Sequence, residues 1–221
     1  TTWLLASTLL AAALLPTLAR AEWFRREDAI MGTRIYVELW ADDAAQGEAA
    51  VAAVIASMHE VDAMMSTYKP ESQLSRVNAH AALGPVTVGR ELFEVIRASL
   101  GFSKLTGGAF DVTYASVGYL YDYRARQRPS EAQIARALPG VDWRNVRLDP
   151  AALSVSFEKP GMRIDLGGIA KGYAVDRAAV LPVGFRAHGR CVRTNSRLTS
   201  RARPLRPLAH RLPAHRRRAH G

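Results

Sequence analysis

The residues best placed to do chemistry lie between Met162 and Val175, in the run M-R-I-D-L-G-G-I-A-K-G-Y-A-V. Asp165, Gly167, Gly168 and Lys171 bring a carboxylate, two positions without a Cβ and a cation close together in the chain. Met162, Ile164 and Leu166 alternate with Arg163 and Asp165, which predicts a strand with its apolar residues on one face and Asp165 on the other. Gly167 and Gly168 at the strand's end permit a sharp turn and let a ligand approach the backbone closely. A helix is expected to start there. Helix N-termini present unpaired N–H groups and a partial positive charge, so this strand-Gly-Gly-helix step, with Lys171 one turn in, is a candidate phosphate cradle. Asp165 could hold a metal or a hydroxyl beside it. The pattern is neither a Walker loop nor the G-x-G-x-x-G dinucleotide fingerprint, and such junctions also occur as plain turns.

The elements that must position this stretch can be read from apolar periodicity. Ile35, Val37 and Leu39 alternate with Tyr36, Glu38 and Trp40, a strand preceded by the turn Met31-Gly32-Thr33. Asp42 and Asp43 then cap a helix in which Val51, Val54, Ile55, Met58, Val61 and Met65 form an apolar stripe, with His59 off it and solvated. Ser72 caps a short helical stretch after the turn Lys69-Pro70-Glu71. Tyr68, at the edge between helix and loop, is read by default as a core residue, with presentation to a ligand as the alternative. Val86 to Val88 reads as a short strand. Arg90 to Lys104 reads as a second amphipathic helix, ending at Thr106-Gly107-Gly108. Asp111, in Ala109 to Tyr114, reads as a local cap. The Tyr and Arg residues between Tyr119 and Arg128 read as a solvated flap. Ser130 and Gln133 form a capping-box pattern for a helix to Leu138, and Val146–Leu148 and Leu153–Phe157 read as a hairpin. Strands and helices mix without a strict βαβ rhythm, which points to an α+β fold.

A chain of 221 residues with 48% hydrophobic content has room for one domain with a sizeable core. The net charge of +10 suggests nucleic acid until it is located along the chain. Pro182 to Gly221 holds eleven arginines and no acidic residue or lysine, so 30 − 11 = 19 basic residues face 20 acidic ones before it. The body is thus close to neutral and no nucleic-acid partner is expected for it. The tail has no periodic apolar pattern and is given no fold, so its removal is expected to leave stability unchanged. The single cysteine, Cys191, lies in it and can form no internal disulfide. At the other end, the apolar run Trp3 to Leu18 followed by Ala19-Arg20-Ala21 fits a secretory signal over residues 1–21, cleaved before Glu22.

Four stretches, in order and approximate spacing, resemble the FAD:protein FMN transferases, the ApbE-type flavin transferases. They are Met31-Gly32-Thr33; Ser66-Thr67-Tyr68 with Pro70, Ser72, Ser75, Arg76 and Asn78 behind it; Gly108 to Thr113; and Asp165 to Asp176. The resemblance covers roughly residues 30–181 and implies an α+β fold and a flavin transferase domain over 22–181. By this resemblance Met31, Tyr68, Ala109, Phe110, Asp111, Asp165 and Lys171 would contact FAD, which is the substrate, and Gly168 would offer its backbone carbonyl to Mg2+. The implied reaction is attack of an acceptor threonine on the FMN phosphorus with release of AMP, the acceptors being flavoprotein subunits of electron-transfer complexes. It also implies location outside the cytoplasm, in the periplasm or at the outer face of the inner membrane, with membrane contact only through an uncleaved signal segment. Family members continue beyond the glycine junction with an N-x-G-G-D-like strand, a His segment and late Asp and Thr metal ligands. None of these follows Leu181, so the chain is read as truncated or frame-shifted there, with impaired turnover expected. The alternative is a non-catalytic secreted flavin-binding protein; a third reading is an adaptor that binds anionic surfaces through Arg216 to Arg218.

Overall fold

The computed structural model describes residues 21–122, 125–181 and 190–194. The expected signal segment, except Ala21, lies outside them, as do Tyr123 and Arg124 of the expected flap and most of the Arg-rich tail.

β1 (Glu22–Ile30) and β2 (Thr33–Ala41) form an antiparallel hairpin closed by Met31 and Gly32, with Ile30 opposite Thr33. Ile35, Val37 and Leu39 are buried, as their alternation predicts. β1 carries no such alternation and was not expected from the sequence. Phe24 anchors it from a helix groove that only glycine leaves open, since a Cβ on Gly47 would fall 2.3 Å from the ring. Cross-strand pairs add to this: Trp23 meets Trp40 edge-to-face at 5.4 Å, and the Arg25 guanidinium reaches Glu38 at 2.7 Å.

α1 (Ala44–Met65) starts at Asp43, whose Oδ1 accepts the Gln46 N–H at 2.9 Å, and its predicted stripe, apart from the partly buried Ile55, is buried, with the helix packed on both strands. α2 (Gln73–His80) is capped by Ser72, whose Oγ accepts the Ser75 N–H at 2.9 Å. There follow β3 (Val86–Thr87), α3 (Arg90–Leu105), α4 (Ala115–Gly118) and α5 (Glu131–Ala137), the last with the expected capping box between Ser130 and Gln133. β4 (Val146–Asp149) and β5 (Ser154–Phe157) make the expected hairpin and join β3 in a second antiparallel sheet, ordered β3-β5-β4. α6 (Ala170–Ala179) packs on α1. One hydrophobic core joins β1, β2 and β3–β5 with α1, α2, α3 and α6, so the α+β expectation holds.

Two expectations are corrected. Residues 190–194 were given no fold, yet they form β6 (Arg190–Thr194), antiparallel to β2 with Arg190 opposite Leu39 and Thr194 opposite Ile35. The free edge of β2 supplies backbone partners that periodicity in the tail could not reveal, and Val192 and Thr194 suit a strand. Second, Met162 to Leu166 joins no sheet. Its alternation is real, with Met162, Ile164 and Leu166 buried. Its backbone groups, however, are satisfied mostly by side chains instead of a ladder. The Asn78 carboxamide accepts the Ile164 N–H at 2.8 Å and donates to the Ile164 carbonyl at 2.9 Å. Ser116 Oγ accepts the Arg163 N–H at 3.0 Å, and the Val112 carbonyl accepts the Asp165 N–H at 3.0 Å.

Asn78→Ala would strand both Ile164 groups, and a loss of roughly 2–4 kcal/mol is expected in urea unfolding; a loss near zero would show that the segment is held otherwise. Deleting Pro182 to Gly221 removes β6 and is expected to lower the melting temperature by several degrees, where an unpacked tail would leave it unchanged.

Candidate functional site

A cleft of about 740 Å³ opens where the β1–β2 turn, the last turns of α1, the loop from Ser66 to Lys69, the Asp165–Gly167 step and the start of α6 meet. Each wall has a local cause. The two-residue turn puts both Met31 (φ 54°) and Gly32 (φ 66°) in the left-handed region, as a type I′ hairpin requires. Asn or Gly usually takes the first of these places. A methionine there bears strain of about 1–2 kcal/mol, the kind of outlier that gathers at ligand sites.

The Ser66–Lys69 loop is pinned from behind. The Ser66 carbonyl accepts from Ser72 Oγ at 2.7 Å and Ser75 Oγ at 3.4 Å, and Ser66 Oγ accepts the Tyr68 N–H at 3.3 Å. Lys69 Nζ closes on Asp62 of α1 at 2.7 Å. With its backbone so held, Tyr68 cannot fold inward, and at 85% exposure its ring stands at the cleft's rim. The default reading of Tyr68 as a core residue is therefore replaced by the alternative.

Asp165 sits at the inner wall. Its Oδ1 accepts the Gly167 N–H at 2.6 Å, and its Oδ2 accepts from Thr67 Oγ1 at 3.4 Å. A Cβ on Gly167 would lie 2.9 Å from that Oδ1, so glycine is what lets the carboxylate close over the turn. This corrects the reading of the glycine N–H groups as jointly open to phosphate: Gly167 spends its N–H on Asp165. The helix also begins later than expected, at Ala170, after a turn in which the Leu166 carbonyl accepts from Ile169 and Ala170. Lys171 Nζ reaches the Gly167 carbonyl at 3.4 Å and has no carboxylate partner among the described residues, so its charge is available to an anion.

Met31, Tyr68, Asp165 and Lys171 thus share one cleft. Ala109, Phe110, Asp111 and Gly168 do not line it. Phe110 lies against Gly168, where an added Cβ would come 3.1 Å from the ring, and meets Phe102 edge-on at 6.3 Å. Asp111 is the local cap that its turn suggested: Oδ1 accepts the Thr113 N–H at 2.8 Å and hydroxyl at 2.6 Å, and Oδ2 accepts the Trp143 N–H at 3.1 Å.

Sequence reasoning gave no place in the cleft to His59, Asp62 or Lys69. His59 is half exposed, as its position off the stripe predicts, and its Nε2 lies 3.7 Å from Asp28. It reaches the cleft because the hairpin turn folds over the end of α1, which no local pattern encodes. The same holds for a network that seats α6. The Arg177 guanidinium donates to the Ser57 carbonyl at 2.9 Å and to Glu60 at 2.6 Å, and forms an ion pair with Glu91 at 3.0 Å. The Tyr173 hydroxyl donates to the same Glu91 at 2.6 Å. The spacing of Tyr173 and Arg177, one helical turn apart, was the available signal.

Comparison with known proteins bears on the family and the fold. The ApbE family model matches residues 31–185. An FAD:protein FMN transferase of Klebsiella pneumoniae (strain 342) is 31% identical over 150 residues, covering 67% of this chain and 46% of that protein. One from Treponema pallidum (strain Nichols) is 29% identical over 171 residues, 74% of this chain and 47% of that protein. Among solved structures, the ApbE protein of Thermotoga maritima superposes with a TM-score of 0.71 at 30% identity, covering 78% of this chain and 57% of that one. The flavin transferase ApbE of Vibrio cholerae, at 24% identity and a TM-score of 0.70 over 78% of this chain and 57% of its own, shares the fold. The chain spans about half the length of the curated relatives it matches.

The α6 network yields a test by pH. Burial, and next the hydrogen bond to Glu91, push the Tyr173 hydroxyl from 10.0 up to about 12. A raised acid favours its protonated form in the fold, so its stabilising effect is complete below pH 10.0 and disappears as pH climbs to about 12. Denaturant unfolding across that window should show wild type losing more stability than Tyr173→Phe; parallel losses would mean that the hydroxyl is not held as described.

Proposed function

Because this chain belongs to the ApbE family, we propose that its cleft binds FAD and serves the transfer of FMN from FAD to a threonine of an acceptor protein, with AMP as the second product. The observation that carries this reading is the convergence of Tyr68, Met31, Asp165 and Lys171 on one cleft. Each matches a need of the ligand. The exposed Tyr68 ring offers a face on which a flavin can stack, and Met31 a polarisable apolar contact beside it. Lys171 supplies an unpaired cation at a helix's first turn, where a diphosphate is favoured. Asp165, fixed by Gly167 and Thr67, holds the turn in shape and lines the cleft.

In the transfer, the acceptor hydroxyl oxygen forms a new bond to the FMN phosphorus while the bridging P–O bond of the diphosphate breaks. The electron pair leaves with AMP, and the threonine proton is released. The nucleophile comes from the acceptor, so this chain's part is to hold the diphosphate and screen its charge. The Asp165 carboxylate lines the cleft, the Gly168 carbonyl is the further oxygen donor that the family resemblance implies, and among the described residues no three acidic, His or Cys side chains converge. Such a sparse set suits magnesium, which keeps several waters and binds through one or two carboxylates plus substrate phosphates. Bound there, the ion would neutralise charge on the diphosphate and orient the leaving AMP.

A second reading, a flavin-binding protein without turnover, would use the same Tyr68 ring and Lys171 cation. Acceptors in the transfer would be flavoproteins outside the cytoplasm, including subunits of electron-transfer complexes; the Ala19-Arg20-Ala21 pattern supports export. Incubation with FAD, magnesium and a threonine-bearing acceptor separates the readings. AMP release with a matching mass gain on the acceptor is the result expected for transfer, and FAD retained without AMP is the result expected for storage. In fluorescence titration, Tyr68→Ala should weaken FAD binding about tenfold, the order of a lost stacking contact, and Tyr121→Ala should have little effect. Equal affinities for the two variants would contradict the placement of the flavin.

A further inference from the structure

A second cleft, of about 480 Å³, opens between α4, α5 and the loop leading into Met162. Tyr119, Leu120, Arg136, Pro139 and Lys159 are among the residues lining it. Its cations lack carboxylate partners among the described residues. Most of the described arginines face a carboxylate, as Arg25 does Glu38 and Arg147 does Glu158. Arg136 instead donates to the Ala132 carbonyl at 3.2 Å, and Lys159 to the Pro139 carbonyl at 3.2 Å. Arg163 lies over the Tyr119 ring, 4.3 Å from its centroid. None of these three has an ion-pair partner among the described residues. The nearby Asp142 is drawn below its ordinary carboxylate range chiefly by its hydrogen bond to Arg144, at 2.8 Å, and feels Lys159 only weakly.

The position of this cleft links it to the first. Arg163 and Asp165 lie on the same polar face of the extended segment, about 7 Å apart at the 3.3 Å rise of an extended chain. Asp165 belongs to the first cleft, and Arg163 packs on Tyr119 of the second. A polypeptide that brings a threonine to Asp165 would therefore lay its flanking residues along Tyr119 and Arg163. Apolar Leu120 and Pro139 between the cations suit peptide side chains. A free phosphate is served less well, because it has no apolar part to lie against Leu120 and Pro139.

We propose that this second cleft receives an acidic stretch of the acceptor protein, next to the threonine that enters the first cleft, an assignment that rests on the transfer reading above. Cations without partners attract carboxylates and speed encounter, and they set which partner is accepted more than how tightly it is held.

The test uses the full chain, a fluorescein-labelled Asp-rich peptide containing one threonine, and a twin with every Asp replaced by Asn. Fluorescence anisotropy should show the Asp peptide bound, with affinity falling steeply as salt is added, and the Asn twin bound at least tenfold more weakly. The double variant Arg136→Glu with Lys159→Glu should raise the Kd for the Asp peptide about tenfold and leave FAD affinity within twofold of wild type. Failure of the wild-type chain to bind the Asp peptide, equal binding of the twin, or an unchanged Kd in the double variant would each overturn the assignment. So would displacement of the peptide by inorganic phosphate at comparable concentration, which would give the cleft to small anions. Loss of FAD binding in the wild type would sink the transfer reading separately, because the peptide measurement needs no flavin.

Discussion

Two hydrogen bonds from one carboxamide hold the functional part of this molecule in register. Asn78, near the end of α2, accepts the Ile164 N–H and donates its own N–H to the Ile164 carbonyl, as a neighbouring strand would. The segment it grips has no strand beside it, so these bonds and those from Ser116 and Val112 replace a ladder. Buried backbone groups left unpaired are costly, and a side chain that pairs with both the donor and the acceptor of one residue also fixes its orientation. With Ile164 facing the core, Arg163 and Asp165 must face the other way.

From that constraint the cleft follows in steps. Asp165 closes over Gly167, Thr67 reaches Asp165, and the Ser66–Lys69 loop that carries Thr67 is itself tied to α2 through Ser72 and Ser75. One short helix therefore anchors both walls, which explains how an exposed Tyr68 and an inner Asp165 can keep a fixed relation. On the far side, Arg177 and Tyr173 seat α6 against α1 and α3, so Lys171 is delivered by a helix clamped at its other end. The cleft is built from loops, but each loop is fastened to a helix.

Much of this could be read from residues alone, because the signals were local. Alternation at Ile35, Val37 and Leu39, the stripe on α1, and the caps at Asp43, Ser72 and Ser130 all depend on neighbours within a turn or two. Met162, Ile164 and Leu166 gave the right buried face but the wrong element, since alternation reports which side is buried and not what pairs with the backbone. β1 escaped because Trp23 to Asp28 is mostly charged, and its place is set by Phe24 filling a groove over Gly47. β6 escaped because its partner edge lies far away in sequence. Likewise, four of the site residues suggested by family resemblance meet in the cleft, whereas Phe110 and Asp111 face Gly168 and Trp143 instead.

The proposed function rests on a pinned junction that would receive the diphosphate of FAD. Hydrogen–deuterium exchange, read at single amides with and without FAD, addresses that claim most directly. The Ile164 amide should exchange slowly in the free protein, and FAD should add protection from Gly168 to Lys171 and around Tyr68. Rapid exchange at Ile164 together with FAD-induced protection that leaves Gly168 to Lys171 unchanged would contradict it.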